Sequence, residues 1–561
     1  VQLENRKFYF PMIIYFLSLA ISIYLIYTHD IRPYLYYLTI TIMIIIILLE
    51  ILHFDLSSKR SLIIILQIMI IVLNLSWGVT LNYYYFVSRT DPIVHVWWIT
   101  NLLNSGYVTS VFDIYRYFPL WHILVSSLHQ VLNLPIPLHK IMFFTNGLIY
   151  SFAIPIIYLI SSKIFKNEKI SLLSALFLCI YPDFISSGMS SIARSVVFFL
   201  MLLLILLLLG YTSRSKILLI LVIVFALIAY HTASMPFILT IFLLIYIIQH
   251  IFITRSEDQL VKPHIFVLMV IMTLVYWIYQ SIDLFQTIIG NISIEAPEGT
   301  LTQSIIDAPV NEVLNYLQFS PLLLFVILGC IWALKSKDID ILGKIFCLLG
   351  LLLSAIAFPG PVLLINKLAR NFNLGRFGDY VIPFIVVAGA IGLYMLYMRS
   401  KKFQKYFVII LFAAMCLLSI SNDFTASDNP LVKRPFYTYY LTEEDITAFD
   451  RVANVTSGFV MSDYVTTRYI GNSIYSAKSH ILEVDTKNHY LLRDKPNDMI
   501  LIRKGELLKR PLKLYSSSTE EFILEPRWGN MIEYYYADSP IWSTLNMYNK
   551  VYDSRNIFAI V

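Results

Sequence analysis

The sequence predicts an all-α polytopic membrane protein of about thirteen transmembrane helices, with a small C-terminal extracytoplasmic α/β domain. Composition is the first reason: of 561 residues, 58% are hydrophobic and 14% charged, and the mean hydropathy is +0.71, which excludes a soluble globular chain. The second is a succession of apolar runs, each near the roughly 20 residues that a bilayer core demands. The third is a change of texture at Asn422, beyond which apolar runs shorten and polar residues rise.

In chain order the expected spans are Phe8 to Tyr27, Pro33 to Leu52, Ser61 to Thr80, Ile141 to Ile160, Ile170 to Ile185, Ser195 to Tyr211 and Ile217 to Tyr230. Met235 to Ile253, Ile265 to Ser281, Phe319 to Leu334, Ile341 to Phe358, Tyr380 to Met398 and Tyr406 to Ser421 complete them. Their centres are almost purely apolar. The first run is too long for a signal-peptide core and lacks a small-residue cleavage site, so it is expected to stay in the mature chain.

Orientation follows from the positive-inside rule. With the N-terminus in the cytoplasm of a plasma-membrane protein, the inner loops carry Arg6 and Lys7, Lys59 and Arg60, Lys163 with Lys166 and Lys169, and Arg214 with Lys216. Arg255 with Lys262, Lys335 with Lys337, and Arg399 with Lys401, Lys402 and Lys405 continue the series, whereas the outer loop from Ile282 to Gln318 has no lysine or arginine. The pattern requires Leu120 to Leu134 to lie as a helix at the outer surface. The formal net charge of +6 is then a property of membrane-flanking loops, and no basic run interleaved with aromatics suggests nucleic acid. The four cysteines, Cys179, Cys330, Cys347 and Cys416, all fall inside apolar spans, so disulfides and zinc sites are not expected.

The outer face consists of Leu81 to Lys140, Tyr181 to Arg194, Ile282 to Gln318, Pro359 to Asp379 and everything from Asn422. In that last region strands are expected at Phe459 to Asp463, Met499 to Arg503 and Ile557 to Val561, and a helix at Glu443 to Val452. Asp91, in Arg89-Thr90-Asp91-Pro92-Ile93-Val94-His95, follows directly on a span. A carboxylate at such a boundary can accept a proton from an incoming hydroxyl or bind a cation. His95 lies one helical turn on, so both share a face if Pro92 starts a helix. Asp91 could equally serve only as the cap of that helix.

Arg116, in Tyr115-Arg116-Tyr117-Phe118-Pro119-Leu120-Trp121-His122, joins a fixed cation to an aromatic shelf that suits a phosphate or a sugar ring, or anchors the interface. Arg376 stands just before a span, where it can grip a lipid-borne phosphate or pair with Asp379. Arg194 and His231 stand at outer helix ends, where polar residues also act simply as end signals.

These residues resemble the GT-C glycosyltransferases. The resemblance rests on the pattern Asp91-Pro92-x-x-His95 in an outer loop after a span, the long loop with interfacial helices, and the external C-terminal domain. It implies an integral membrane enzyme that takes sugars from polyprenyl-phosphate carriers, as do protein O-mannosyltransferases, aminoarabinose transferases and oligosaccharyltransferases, with Asp91 as catalytic acid residue of the first outer loop. Residues 1–60 would then be a two-helix addition, 61–421 the GT-C-like module with outer loops 81–140 and 282–318, and 422–561 the soluble domain. Arg376 with Tyr380 and Pro383 resembles the arginine before a Tyr-x-x-Pro helix start associated with carrier phosphate, and His231-Thr232 resembles archaeal members. Asn291-Ile292-Ser293-Ile294-Glu295 is similar in part to the Ser/Thr-x-x-Glu loop motif, and Ser462-Asp463-Tyr464 to the Trp-Trp-Asp-Tyr-Gly motif of oligosaccharyltransferases. The tryptophan pair and the glycine are absent, and Ser186 to Ser191 lacks the expected acidic pair.

The resemblance implies inverting transfer of a hexosyl or pentosyl unit from a polyprenyl (dolichyl) phosphate to a hydroxyl of a lipid-linked glycan or surface protein in a prokaryotic, archaeal cell envelope. Asp91 would be the base, with Arg376 and Arg116 on the phosphate. His95, His122, Arg194, His231, Glu295 and Tyr380 are further candidate substrate contacts. A divalent metal such as magnesium or manganese on Asp91 and His95 is not required, because arginine can neutralise a monophosphate leaving group. Alternatives are a polysaccharide polymerase or ligase, an oligosaccharyltransferase, and a lipid or glycan transporter. Two Asn-x-Ser/Thr sequons, at Asn291 and Asn454, lie on the expected outer side.

Overall fold

In the computed structural model, residues 2–29, 31–88, 91–209, 214–252, 259–286, 317, 319–358, 377–421, 439–485, 490–492, 497–508, 511–516 and 532–561 are described. Helices α1 (Gln2–Thr28), α2 (Tyr34–His53) and α3 (Ser58–Thr80) lead into strand β1 (Tyr85–Ser88) and helix α4 (Asp91–Ser105). A 3-10 turn, Ser110–Tyr117, joins α4 to α5 (Leu120–Leu132). Next come α6 (Leu138–Ser151), α7 (Ala153–Phe165), α8 (Glu168–Cys179), α9 (Pro182–Ser190), α10 (Ala193–Leu208) and α11 (Arg214–Tyr230). They are followed by α12 (Met235–Phe252), α13 (Pro263–Gln280), α14 (Phe319–Lys335), α15 (Ile341–Ala357), α16 (Phe377–Arg399) and α17 (Lys402–Ser421).

Among the described residues eight helices are long and apolar enough to cross a membrane, α6 and α7 counting together as one of them (Leu138–Phe165), and a ninth span results if α8 and α9, bent by 56°, count as one. The other four expected spans fall on α10, of 16 residues, and on α11, α14 and α15, of 17 each. These are at or below the short limit for crossing a bilayer unaided, so the expectation of thirteen spans is met only in part.

α16 is the axis of the bundle. It is apolar around its whole circumference and buried along nearly all its length, as a helix enclosed by others must be. Small residues let its neighbours approach at backbone distance. A methyl at Gly392 would sit 1.8 Å from the Phe325 carbonyl of α14, and one at Gly350 of α15 would sit 2.5 Å from that of Phe384. Without a hydrophobic drive between helices in lipid, such backbone packing is a main source of association.

The described loops segregate to two ends. At one end Lys166 pairs with Asp340 at 3.2 Å, Lys169 donates to the Leu52 carbonyl at 3.0 Å, and Arg399 lies 3.7 Å over the Trp332 ring. This is the lysine-rich set that charge patterning groups together. At the opposite end are α4, α9 and the starts of α10, α12 and α16. The few polar side chains within the spans include Glu50, one turn from the end of α2, and Gln67, within α3, and both are buried.

Beyond residue 438 the texture changes as expected. β2 (Tyr439–Leu441) leads into α18 (Glu443–Val455), which starts with a capping box: Thr442 accepts from the Asp445 amide while Asp445 accepts from that of Thr442. β3 (Val460–Ser462) leads into α19 (Tyr464–Gly471). Then follow β4 (Ser479–Ile481), β5 (Glu483–Asp485), β6 (Tyr490–Leu492), β7 (Met499–Ile502), α20 (Lys504–Leu507), β8 (Leu512–Ser516), β9 (Ile532–Tyr535), β10 (Lys550–Asp553) and β11 (Phe558–Ile560).

A five-stranded sheet runs β10-β11-β7-β3-β4, with β3 parallel to both β7 and β4, and a four-stranded sheet runs β6-β5-β8-β9. The strands expected from sequence are the inner β3, β7 and β11 of the first sheet. Being covered on both faces, β7 reads Met-Ile-Leu-Ile without alternation. Leu501 faces the main core, while Ile500 and Ile502 face a second core shared with Leu482, Val484, Leu512 and Leu514.

Candidate functional site

Asp91 begins α4, with Pro92 in its first turn, where a missing N–H costs no intrahelical bond. The helix thus starts one residue earlier than expected. The approach to it is fixed from below: the Lys140 ammonium donates to the carbonyls of Leu81, at 3.0 Å, of Thr80, at 3.3 Å, and of Tyr83. The carbonyls of Thr80 and Leu81 end α3 and lack intrahelical donors. The Asp91 side chain is exposed.

His95, one turn on, is only 3% exposed. Its Nδ1 lies 2.9 Å from His122 Nε2, so one hydrogen is shared between the rings. Trp98, Phe112 and Tyr115 surround the pair at ring separations of 5.1 to 5.5 Å, counting the imidazoles' own 5.1 Å. Burial pushes His95 down to about 3; burial, and secondarily the neighbouring His95, push His122 well below its ordinary value. Both rings are therefore neutral and serve to lock α4 to α5. A backbone kink at Asp113, with φ +49°, a region that non-glycine residues seldom adopt, turns the chain between Phe112 and Tyr115.

The second outer segment supplies a cation that Asp91 acts on, Arg194. Arg194, at the start of α10, has its Nε 3.1 Å from Oδ2 of Asp379 in the first turn of α16. The other Asp379 oxygen accepts from Ser187 at 3.0 Å, and the Ser195 hydroxyl donates to the Ser187 carbonyl at 2.8 Å. Asp379, Tyr380, Tyr150 and Asp91 are the negative or ionisable groups that act on the Arg194 guanidinium. Asp183, at the start of α9, stands against the N-terminus of α16: a methyl at Gly378 would lie 2.9 Å from its Oδ2. An acid at that position suits the helix dipole.

His231 closes the ring. In the turn between α11 and α12, its Nδ1 lies 2.7 Å from Ser234 Oγ, and the Tyr380 hydroxyl donates to the same oxygen. The Tyr115 ring, 6.4 Å from that of His231, connects this group to the His95 and His122 cluster. Asp91, His95, His122, Arg194, His231 and Tyr380, which are scattered in sequence, thus converge at one end of the bundle.

Arg116 sits at the exposed rim, over the Tyr117 ring at 4.4 Å and 3.5 Å from Asp283. Arg376, Glu295 and Asn291 lie outside the described residues. Sequence reasoning passed over Asp183 because it sought acids among Ser186 to Ser191; the signal was Pro182-Asp183 at a helix start. It also missed Ser187 and Ser234, since serines near spans carry no distinctive pattern.

Two of the expected pairings are not seen among the described residues. Asp91 and His95 do not present a common metal site: His95 is buried with its Nδ1 engaged by His122, and the described residues hold no group of three His, Cys, Asp or Glu able to bind an ion. Nor is Asp463 of Ser462-Asp463-Tyr464 presented to an acceptor. It caps α19 and takes two hydrogen bonds from Arg503, each 3.0 Å, in a pair whose side chains are 1% and 3% exposed. Burial alone would raise its carboxyl, but Arg503 outweighs that and holds it below its ordinary value.

The bundle, its helical outer loop and the terminal α/β unit form a fold shared with solved membrane proteins. The crystal structure of the Archaeoglobus fulgidus oligosaccharyltransferase in the apo form matches with a TM-score of 0.52 at 12% identity, over 77% of this chain and 66% of that one. This chain thus spans just under two thirds of that enzyme's length. The same oligosaccharyltransferase, AglB, in complex with an inhibitory peptide and a dolichol-phosphate, gives 0.46 at 11% identity, over 80% and 70%. ArnT from Cupriavidus metallidurans bound to undecaprenyl phosphate gives 0.49 at 8% identity, over 90% and 98%. No family model and no curated protein matches the sequence.

Proposed function

We propose that this protein is a membrane glycosyltransferase that moves a single sugar from a polyprenyl-phosphate carrier to a hydroxyl acceptor at the outer membrane face, with inversion. The observation that carries the reading is the placement of an exposed carboxylate, Asp91, at the mouth of a GT-C bundle and within electrostatic reach of Arg194. The Asp91 carboxylate takes the proton of the acceptor hydroxyl. The oxygen attacks the anomeric carbon, the bond from that carbon to the phosphate oxygen breaks, and polyprenyl phosphate leaves with the electron pair. Positive side chains at the same end stabilise the growing phosphate charge. Arg376 is our choice for that contact, with Arg116 at the rim, while Arg194, already matched by Asp379, orders the site. A monophosphate needs no more charge than arginine provides.

Loop charge supports an inward N-terminus and an outward Asp91 end, with residues from 422 onward on the acceptor side. The test is transfer from radiolabelled dolichyl-phosphate mannose and dolichyl-phosphate glucose in membranes carrying the chain. Label is expected to leave the carrier and enter a carrier-free or glycan-linked product. Label that crosses the bilayer while still on its carrier would make the protein a transporter instead.

A further inference from the structure

Strand β1 stops two residues short of Asp91, and its partner β2 stops one residue short of α18. They pair antiparallel, Tyr85 opposite Leu441, Phe86 opposite Tyr440 and Ser88 opposite Tyr439, with an irregularity between Phe86 and Ser88. The Tyr83 and Tyr440 rings stack at 4.1 Å and 22°, with Phe86 and Leu441 also buried. On the bundle side Tyr85 stacks on His139 at 4.5 Å, and its edge meets Tyr469 of α19 at 6.3 Å. α19 in turn packs directly on α4. The helix that bears Asp91 is therefore held from two directions by the C-terminal unit, through the ribbon and through α19.

A two-stranded ribbon alone is marginal in water, so its register depends on these ring contacts. The buried hydrophobic core is continuous across the junction, running from the bundle through Tyr85 and Phe86 to Leu441, Ile446 and Phe449.

We propose that the C-terminal unit sets the position of Asp91, with Tyr440 as the positioning residue that clamps β1. This rests on the reading of Asp91 as the base. Asp91 reaches its working place when the ribbon is paired, and the unit that meets the acceptor thereby aligns the group that deprotonates it. Tyr440 touches no reacting atom and acts through β1.

The experiment compares Tyr440→Ala, Tyr440→Phe and Asp91→Asn in the full-length protein, with radiolabelled dolichyl-phosphate mannose or glucose as donor. Tyr440→Ala is expected to lower kcat on the order of 10²-fold, as small misplacements of a reacting group do. Donor KM stays unchanged and the acidic limb of the kcat profile shifts. Tyr440→Phe restores both, because stacking does not need the hydroxyl. Amide hydrogen exchange in α4 is expected to quicken in Tyr440→Ala only. Unchanged kcat, pH limb and exchange in Tyr440→Ala would overturn the proposal, as would a loss that phenylalanine does not rescue.

If the alanine variant fails to fold, the double variant Phe86→Cys with Tyr440→Cys replaces it: an oxidised, permanently paired ribbon is expected to keep transfer, and its inactivity would contradict the proposal. Full transfer by Asp91→Asn would sink the base assignment and this inference together. An inactive Asp91→Asn beside a normal Tyr440→Ala would sink this inference alone.

Discussion

The neutral histidine pair has a pH signature. Burial holds His95 at about 3 and His122 well below normal, whereas an unfolded histidine titrates near 6.5. As pH falls below about 6.5 the unfolded chain takes up protons that the folded pair refuses, so stability is complete above that pH and declines toward about 3. Thermal unfolding of the purified protein should show this slope, and His122→Phe should flatten it; an equal slope in the variant would mean that the pair does not control it. The buried Asp463 and Arg503 pair makes a second case. Arg503→Leu leaves a carboxylate without its partner in a 1%-exposed setting, and should cost about 3–5 kcal/mol in unfolding experiments, whereas a change below about 1 kcal/mol would place the pair among weak surface bridges. Neither the pairing of His95 with His122 nor that of Asp463 with Arg503 was legible in sequence. Both join residues far apart in the chain, and a short motif such as Ser-Asp-Tyr looks the same whether its acid meets an acceptor or a buried guanidinium.

At the scale of elements, hydropathy located helices well and non-local pairing poorly. Every expected span falls on helix, Ile141 to Ile160 on α6 with α7 and Ile170 to Ile185 on α8 with the start of α9, because each must satisfy its backbone internally and so carries its own apolar run. The strands β3, β7 and β11 were also readable, as short apolar runs covered on both faces. The ribbon of β1 and β2 was not: Tyr85 to Ser88 and Tyr439 to Leu441 are short, and they become strands only by meeting each other. The close approach of α14 and α16 was equally silent, since a glycine in an apolar span does not announce what it touches. Gly392→Ala would place a methyl 1.8 Å from the Phe325 carbonyl. It should force the two helices apart at a cost of about 1–3 kcal/mol, measured as a lowered unfolding temperature in detergent. An unchanged temperature would show that the helices do not depend on that contact.

For the whole molecule, the charge pattern groups Lys166, Lys169 and Arg399 on one side, and among the described residues these three do lie at one end; the sidedness that the pattern implies can be measured directly. The native cysteines are all buried, and Ile474 in the C-terminal unit is 90% exposed. Ile474→Cys should therefore react with a membrane-impermeant maleimide on intact cells; reaction only after permeabilisation would invert the topology. The convergence of Asp91, Arg194, His231 and Tyr380 at one end was anticipated only as a set of outer-boundary residues. Which of them meet was decided by the helix order around α16. If this convergence is a transfer site with Asp91 as its base, sugar transfer from radiolabelled dolichyl-phosphate mannose or glucose must differ between the wild type and Asp91→Asn. Asp91→Asn is expected to lower transfer on the order of 10²–10⁴-fold with an unchanged unfolding temperature, whereas transfer at the wild-type rate would reduce Asp91 to the first residue of a helix.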